Sequence, residues 1–293
     1  MLFRSGASTC GTEVVFRIGV LRTTVQVREL DPATNSYVER LVFNSSEDAV
    51  PEDYTDVKAQ EDVRFRIALA EGATSWQIIE SLKQIDILEG DPGEVPAEGM
   101  LAPDSYEVTR GVQRADLVAQ MMSAQEQILA DAWATRDASV PLESPEEAVI
   151  LASIVEKETS VPAERRQVAS VFVNRLNQGM RLQTDPTVIY GITRGQGALG
   201  RGLRRSELQR ETPWNTYVID GLPPTPIANP GRAALLAAGQ PADPDFTFLV
   251  ADGTGGHAFA ETLGEHNRNV ARWRDIAATR SELAPGSRNL LTR

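Results

Sequence analysis

Two glutamates separated by a lysine, Glu156-Lys157-Glu158, end a long apolar run and have the residue type that acid–base chemistry needs. On a helix that advances about 100° per residue, Glu158 lies about 50° from the centre of the apolar face, Glu156 about 110° away and Lys157 roughly opposite. Burial disfavours the charged form of a carboxyl group and raises its pKa, as a general acid requires near neutral pH. The pattern favours Glu158 as the acid, with Glu156 as the fallback. An alternative is that Glu158 caps the helix or pairs with Arg165 or Arg166.

The helix that must hold these glutamates has a clear beginning. The segment Ser144-Pro145-Glu146-Glu147 combines an N-cap serine, a proline at the first helical position and a glutamate at the third. We expect this helix to run to Thr159. Other helices are predicted at residues 112–137, 162–177, 185–190, 229–239 and around 270–276.

The segments before residue 112 have a different pattern. Apolar and polar residues alternate over residues 13–43, which predicts short strands, and residues 44–62 are acidic and irregular, as in a surface loop. A strand is predicted at Arg64–Leu69, followed by a helix that Ser75 caps and by a structured loop over 89–111. A hairpin is expected around Asp252-Gly-Thr-Gly-Gly256, and a loose tail after residue 280. Together these elements predict an α+β fold.

The bulk composition excludes several classes of protein. The chain has 293 residues, a formal net charge of −12 and 41% hydrophobic residues, so it can bury a core but lacks the basic surface that nucleic acid requires. Its one cysteine cannot form an internal disulfide. No apolar run is long enough to span a membrane, and the first twelve residues do not have the pattern of a signal peptide.

Several blocks of sequence follow one another along the second half of the chain. They are Leu151-Ala-Ser-Ile-Val-Glu-Lys-Glu-Thr159, Val168-Ala-Ser-Val-Phe-Val-Asn-Arg-Leu176, Met180-Arg-Leu-Gln-Thr-Asp-Pro-Thr-Val-Ile-Tyr-Gly191, Asn215-Thr-Tyr217, Gly221-Leu-Pro-Pro224, Ile227-Ala-Asn-Pro230, Phe248-Leu-Val-Ala-Asp252 and Gly256-His257. These blocks resemble those of the MltG/YceG family of endolytic murein transglycosylases, and they occur in the order found in that family. The resemblance covers residues 98 to about 276.

The resemblance implies a domain plan and a location. It implies a catalytic domain preceded by a small LysM-like region, which Ala70-Glu-Gly-Ala-Thr-Ser-Trp-Gln77 and Gly99-Met-Leu-Ala-Pro-Asp-Ser-Tyr106 resemble. With the residue patterns above, this predicts a β-rich region at 1–62, a LysM-like subdomain at 63–111, a mainly helical catalytic domain with a short antiparallel sheet at 112–280, and a flexible tail at 281–293. Members of the family are anchored in the bacterial inner membrane by one N-terminal helix and act on its periplasmic face. We therefore expect this sequence to lack an anchor that the longer protein carries. Cell-wall synthases are the partners that the resemblance suggests.

The resemblance also implies the chemistry. The family's catalytic glutamate aligns with Glu158. It would protonate the oxygen between MurNAc and GlcNAc of nascent glycan strands and then help the C6 hydroxyl of MurNAc to attack C1, which leaves a 1,6-anhydro end and limits strand length. No metal or organic cofactor is implied. His257 and His266 have no metal-site spacing, and structural roles are expected for both.

Further site residues are predicted from the matching blocks. Tyr217 would orient the acid or a sugar, although a tyrosine in the core is an equal alternative. The other predicted substrate-binding residues are Gln183, Thr184, Asp185, Asn174 and Asn215. For Asp185 the structural alternative is an N-cap before Pro186, and for Asn174 it is an ordinary position on a helix surface.

Two other functions remain open. In a hydrolytic muramidase, a second carboxylate such as Asp185 would activate water. In a non-catalytic murein-binding scaffold, the LysM-like segment would bind the glycan and Glu158 would have no chemical role.

Overall fold

The structure is a computed structural model that describes residues 11–20 and 22–283. The predicted loose tail lies mostly outside the described residues. The strands are β1 Thr12–Ile18, β2 Thr23–Asp31, β3 Ser36–Asn44, β4 Arg64–Leu69, β5 Ser105–Val108, β6 Phe248–Ala251 and β7 His257–Ala260. The helices are α1 Glu52–Ala59, α2 Ser75–Gln84, α3 Arg114–Ala134, α4 Pro145–Glu158, α5 Arg165–Asn177, α6 Asp185–Thr193, α7 Arg205–Leu208, α8 Arg232–Gly239 and α9 Leu263–Leu283, and a 3-10 turn covers Pro162–Glu164.

Within the described residues, the N-terminal part is built on one five-stranded sheet in the order β3-β2-β1-β4-β5. Strand β1 is central: it pairs antiparallel with β2 and parallel with β4. Its residues Val14, Val15 and Phe16 are all buried, as expected of a strand that is covered on both faces. Glu13 on the same strand is also buried and pairs with Arg28 and Arg66.

The segment predicted to be LysM-like contributes β4, α2 and β5. Strands β4 and β5 pair antiparallel, and α2 follows β4 along the chain. The N-cap of α2 is Thr74 and not Ser75, because the Thr74 side chain accepts from the Gln77 backbone and the Gln77 side chain accepts in return from the backbone N–H of Thr74. The LysM-like identification of this segment remains a prediction.

Two hydrophobic cores are joined by one long helix. The first core takes residues from β1, β4, α2 and the beginning of α3, such as Leu117 and Met121. The second takes Ala132 from the end of α3 together with α4, α5 and α8. The predicted boundary at residue 62 therefore falls inside one sheet and one core, and the boundary at residue 111 is crossed by the packing of α3.

Helix α4 lies at the centre of the second core. The Ser144 side chain accepts from the Glu147 backbone and Pro145 is the first helical residue, so the predicted start is confirmed. All residues from Ala148 to Val155 are buried. Helices α5 and α8 pack against α4, and the antiparallel hairpin β6–β7 packs against α9. These contacts fix the direction in which the C-terminal end of α4 points.

Most predicted elements are present, and the α+β class is confirmed. One clear difference is α1: residues 52–59 form a helix with Tyr54 and Val57 buried, although the acidic segment was predicted to be irregular. The helix predicted to begin at Asn229-Pro230 begins at Arg232 instead, after the N-cap Gly231. No described helix is long and apolar enough to cross a membrane.

Candidate active site

Glu158 is the last residue of α4, and its side chain is partly buried at the floor of a cleft. Burial raises the pKa of this carboxyl group, and nearby Asp185 raises it further. A hydrogen bond from Thr184 and the charges of His257 and Arg175 act in the opposite direction without cancelling the rise. The carboxyl end of a helix also disfavours negative charge. Glu158 is therefore suited to hold a proton at a pH where an exposed glutamate has lost it.

Thr184 holds the Glu158 carboxyl group in place. Its hydroxyl donates to Oε2 of Glu158 over 2.6 Å. Thr184 is itself fixed, because its backbone N–H donates to Oγ1 of Thr216 and its carbonyl accepts from Oγ1 of Thr187. The hydroxyls of Thr187 and Thr216 lie 2.9 Å apart. All three threonines are buried, so this network orients the Glu158 carboxyl group from the protein side.

Tyr217 and Asp185 form a pair beside this network. The Tyr217 hydroxyl donates to Oδ1 of Asp185 over 2.7 Å. Burial, the hydrogen bond to Asp185 and the charge of Glu158 all raise the pKa of Tyr217, so its hydroxyl remains a donor. Asp185 is exposed and is the first residue of α6; the N-cap is Thr184, so the structural alternative of Asp185 as N-cap is wrong.

The remaining predicted residues differ in how free their side chains are. Gln183 is exposed and has a left-handed backbone, with φ of 51°, directly before Thr184. The Asn174 amide donates to the carbonyls of Pro244 and Phe246. Asn215 is fully buried, and its amide donates to three backbone carbonyls of residues 207–210. Gln183 is thus available to a ligand, whereas the two asparagines hold loops in place.

Arg175 is a positioning residue that the sequence reasoning missed. It is buried on α5 and donates to the carbonyls of Thr247, Arg181 and Leu182. These bonds fix the segment that leads to Thr184 and join it to the strand β6 region. The only sequence signal for this role was its place in the family-like block of residues 168–176.

The cleft at Glu158 has a volume of about 340 Å³. Its lining includes Thr159, Ser160 and the glycines of the β6–β7 turn. Helix α9 adds the apolar side chains of Trp273, Ile276 and Ala277. A concave site with few polar groups and an apolar wall is typical of small-ligand and sugar sites.

His257 lines the same cleft, and sequence reasoning had given it only a structural role. Its ring nitrogen Nδ1 lies 2.8 Å from Oε2 of Glu164, and its backbone N–H donates to Oε1 of the same carboxylate over 2.9 Å. Thr159, next to Glu158, donates to Glu164 as well. The residues are separated by 93 positions, so no local motif could have paired them.

Glu156 faces away from the cleft. One of its carboxylate oxygens lies 3.4 Å from Arg165 and the other accepts from the Gly231 backbone over 3.0 Å, and its side chain is only 5% exposed. Arg165 also binds Glu71 of the N-terminal part. Among the acids of this helix end, it is therefore Glu156, and not Glu158, that pairs with Arg165.

Lys157, which the helical wheel places opposite the apolar face, contacts another segment of the protein. Its Nζ donates to the carbonyl of Gly72, and burial lowers its pKa while Glu156 and Glu98 raise it. The Asn229 side chain continues the same interface, because Oδ1 accepts from Leu101 and Nδ2 donates to the carbonyl of Ala73. One side of this helix end therefore joins the two parts of the molecule.

No group of three or more His, Cys, Asp or Glu side chains that could hold a metal ion occurs in residues 11–20 and 22–283. The polar side chains that line the cleft are those of Glu158, Thr159, Ser160 and His257. This arrangement can donate a proton from a carboxyl group and accept one nearby.

Comparison with known proteins identifies relatives. The model of the YceG-like family matches residues 43–272. An endolytic murein transglycosylase of Bacillus subtilis is 41% identical over 121 residues, which are 40% of this chain and 32% of that protein. One of Streptococcus pneumoniae is 30% identical over 181 residues, 59% of this chain and again 32% of the relative. The chain thus spans about a third of the length of these curated relatives.

A solved structure is also similar. The crystal structure of a YceG-like protein from Listeria monocytogenes superposes with a TM-score of 0.58 at 28% sequence identity. The match covers 69% of this chain and 75% of that one.

Proposed function

Because this chain belongs to the YceG-like family, we propose that it is an endolytic lytic transglycosylase of peptidoglycan, with Glu158 as its acid. The observation that carries the proposal is a carboxyl group with a raised pKa at the floor of a cleft, fixed by Thr184. The relatives named endolytic murein transglycosylases support the substrate class.

The first step is protonation of the leaving oxygen. Glu158 in its neutral form donates its proton to the glycosidic oxygen between MurNAc and GlcNAc, and the C1–O bond breaks. The single hydrogen bond from Thr184 leaves the other carboxyl oxygen, Oε1, for this transfer. Because burial favours the neutral form, the acid is loaded before the substrate arrives.

The second step closes a ring on the substrate. The C6 hydroxyl of MurNAc attacks C1, its proton passes to a base, and the product has a 1,6-anhydro end. The Glu158 carboxylate left by the first step is one such base. Water is not consumed, so this chemistry does not require a second carboxylate to activate it.

The sugar contacts are assigned to the residues beside the acid. Gln183 and the Tyr217–Asp185 pair are exposed or partly exposed next to Thr184, and they would bind sugar hydroxyls or acetamido groups. Asn174 and Asn215 would contribute indirectly, because their amides are engaged in holding loops.

The cellular setting follows from the family resemblance. We propose that the whole protein cuts nascent glycan strands and so limits their length, at the outer face of the cytoplasmic membrane and beside cell-wall synthases. The segment over residues 63–111 would bind glycan outside the cleft, in the manner of a LysM domain.

The test is the chemistry of the products. Purified glycan strands incubated with the protein should yield fragments with 1,6-anhydro ends, detected by mass spectrometry. Glu158→Gln should lower the rate about 100- to 10,000-fold while retaining glycan binding. Unchanged activity of this variant would refute the assignment of the acid.

A second variant separates the hydrolytic alternative. A muramidase that used Asp185 to activate water would produce reducing ends and would lose them in Asp185→Asn. Anhydro ends that persist in Asp185→Asn support the transglycosylase. A wild-type protein that binds glycan and releases no fragments would favour the scaffold function.

A further inference from the structure

The Glu164–His257 pair is an organised polar group in the cleft that the single-acid mechanism does not use. Glu164 ends the 3-10 turn that precedes α5, and His257 begins β7. The carboxylate binds both the ring and the backbone N–H of His257, and Thr159 adds a third hydrogen bond. His257 and Glu158 line the same cavity.

The hydrogen bonds determine which nitrogen of the ring is available. Burial alone would raise the pKa of Glu164, but the bonds from His257 and Thr159 outweigh it and lower the pKa. Glu164 is therefore an anion that can only accept, so Nδ1 of His257 must carry the hydrogen. In the neutral ring the lone pair is then on Nε2. His257 lines the cleft, so this nitrogen belongs to a residue that a ligand there would contact.

We propose, building on the proposed function, that His257 is the base of the ring-closing step and that Glu164 is its positioning residue. Nε2 accepts the proton of the C6 hydroxyl as that oxygen forms its bond to C1. The proton that Glu158 gave to the leaving oxygen departs with the GlcNAc hydroxyl, and the proton on His257 returns through solvent. Glu158 then takes up a proton from water for the next cycle.

The same arrangement explains why two groups would share the task. A carboxylate behind Nδ1 fixes the tautomer and stabilises the imidazolium that forms at proton transfer. The ionisable groups near the ring are Glu164, Asp252 of the β6–β7 turn, and Glu158, which carries its proton when the step begins.

The test is the pH dependence of anhydro-product formation by the wild type and by His257→Gln. With His257 as base, kcat/KM of the wild type should fall on the acid side, where the ring is protonated, and on the alkaline side, where Glu158 is ionised. His257→Gln should lower kcat about 100-fold or more, with a much smaller change in KM, and should lose the acid limb.

The chain offers a matched control, because His266 is its other histidine. His266 stacks on Phe248, and its ring does not line the cleft. His266→Gln should keep the acid limb. Glu164→Gln should lower kcat in the same direction as His257→Gln, and the double variant should be no worse than His257→Gln alone.

The outcomes separate this proposal from the proposed function. A wild-type protein that releases no anhydro product overturns both. A wild type that releases it, together with a His257→Gln variant within about threefold in kcat and unchanged in its pH profile, overturns only the role of His257. Melting temperatures measured beside the rates identify any loss that comes from unfolding.

Discussion

Glu156 and Glu158 lie on the same turn of α4 and have opposite surroundings. Glu156 faces the junction with the N-terminal part, where Arg165 and the backbone N–H of Gly231 bind its carboxylate. Glu158 faces the cleft, where it receives one hydrogen bond from the neutral hydroxyl of Thr184. The residue type is identical, so the difference in role comes from the partners alone.

This contrast shows how one helix end can hold one carboxyl group in a structural junction and present another to a cleft. The Glu156 carboxyl group, bound by a cation and by a backbone N–H, joins two parts of the molecule. A buried carboxyl group whose direct partner is a hydroxyl retains its proton, which is reflected in the raised pKa of Glu158. The side of the helix end that faces the cleft therefore carries the proposed acid, and the side that faces the junction stabilises the fold.

The largest expected effect is a difference in activity between variants of the two glutamates. Glu156→Gln should keep turnover per folded molecule within about threefold of the wild type, whereas Glu158→Gln should lose about 100- to 10,000-fold. The reason is that only Glu158 lines the cleft. Rates of fragment release under matched protein concentrations test it. A Glu156→Gln variant that is fully folded and as inactive as Glu158→Gln would contradict the claim that only Glu158 takes part in the reaction.

The second effect is on stability, where the Glu156 variant should lose more than the Glu158 variant. Glu156→Gln should lower the free energy of unfolding by about 3 kcal/mol, because Arg165 loses the more buried of its two carboxylate partners. Urea unfolding at neutral pH measures the change. A loss below about 0.5 kcal/mol would mean that the pair contributes no more than a surface ion pair.

The matched variant Glu158→Gln should be as stable as the wild type or more stable at neutral pH. The folded-state pKa of Glu158 lies above its unfolded value, so the wild type loses stability as the pH rises from the unfolded towards the folded pKa. Any gain in the free energy of unfolding from Glu158→Gln should therefore vanish below the pKa of Glu158 in the unfolded chain. An advantage that is equal at acid and neutral pH would contradict this linkage.

A smaller loss of stability is expected from Asn229→Ala. This change leaves the backbone N–H of Leu101 without its acceptor and removes a link to Ala73, so the free energy of unfolding should fall by about 2 kcal/mol. The pH profile of the reaction should not move, since Asn229 lies on the junction side. A shifted pH profile would show that contacts at the junction alter the pKa of Glu158.

The smallest effect is a shift in the pKa of Glu158. The hydrogen bond from Thr184 favours the ionised form of Glu158, so Thr184→Val should raise the pKa of Glu158 further. The alkaline limb of the pH profile should move to higher pH, with a change in rate of about tenfold or less. The profile of Glu156→Gln is the control, and a limb that moves to lower pH would contradict the sign.

The different surroundings of the two glutamates could be predicted from the sequence because α4 is regular and buried, so angular position on the helix translates into surroundings. The wheel also placed Lys157 opposite the apolar face, but it could not show what covers that side. A helical wheel contains only the helix, whereas the loop at Gly72, 85 residues away, covers the side on which Lys157 lies. Burial by a distant segment has no local signature.

Partners far apart in sequence were missed for the same reason. Tyr217 and Asp185 were both predicted, but their hydrogen bond joins residues 32 positions apart. Arg175 and Glu164 had no signal of their own because each acts through a backbone carbonyl or a ring from another element. By contrast, the start of α4 and the β6–β7 hairpin depend on local capping and turn residues, and these were predicted well.

The contacts around Asn229 bear on the order in which the molecule folds. The bond from Asn229 to Ala73 spans 156 residues, and Gly72 donates to the carbonyl of the same asparagine. During synthesis the N-terminal sheet emerges long before residue 229, so its loop at 70–75 must remain without this partner until most of the second core has been made. Loops this long close slowly. Docking of the two parts should therefore be a late kinetic step, and a nascent chain halted before residue 229 should expose this loop to proteases.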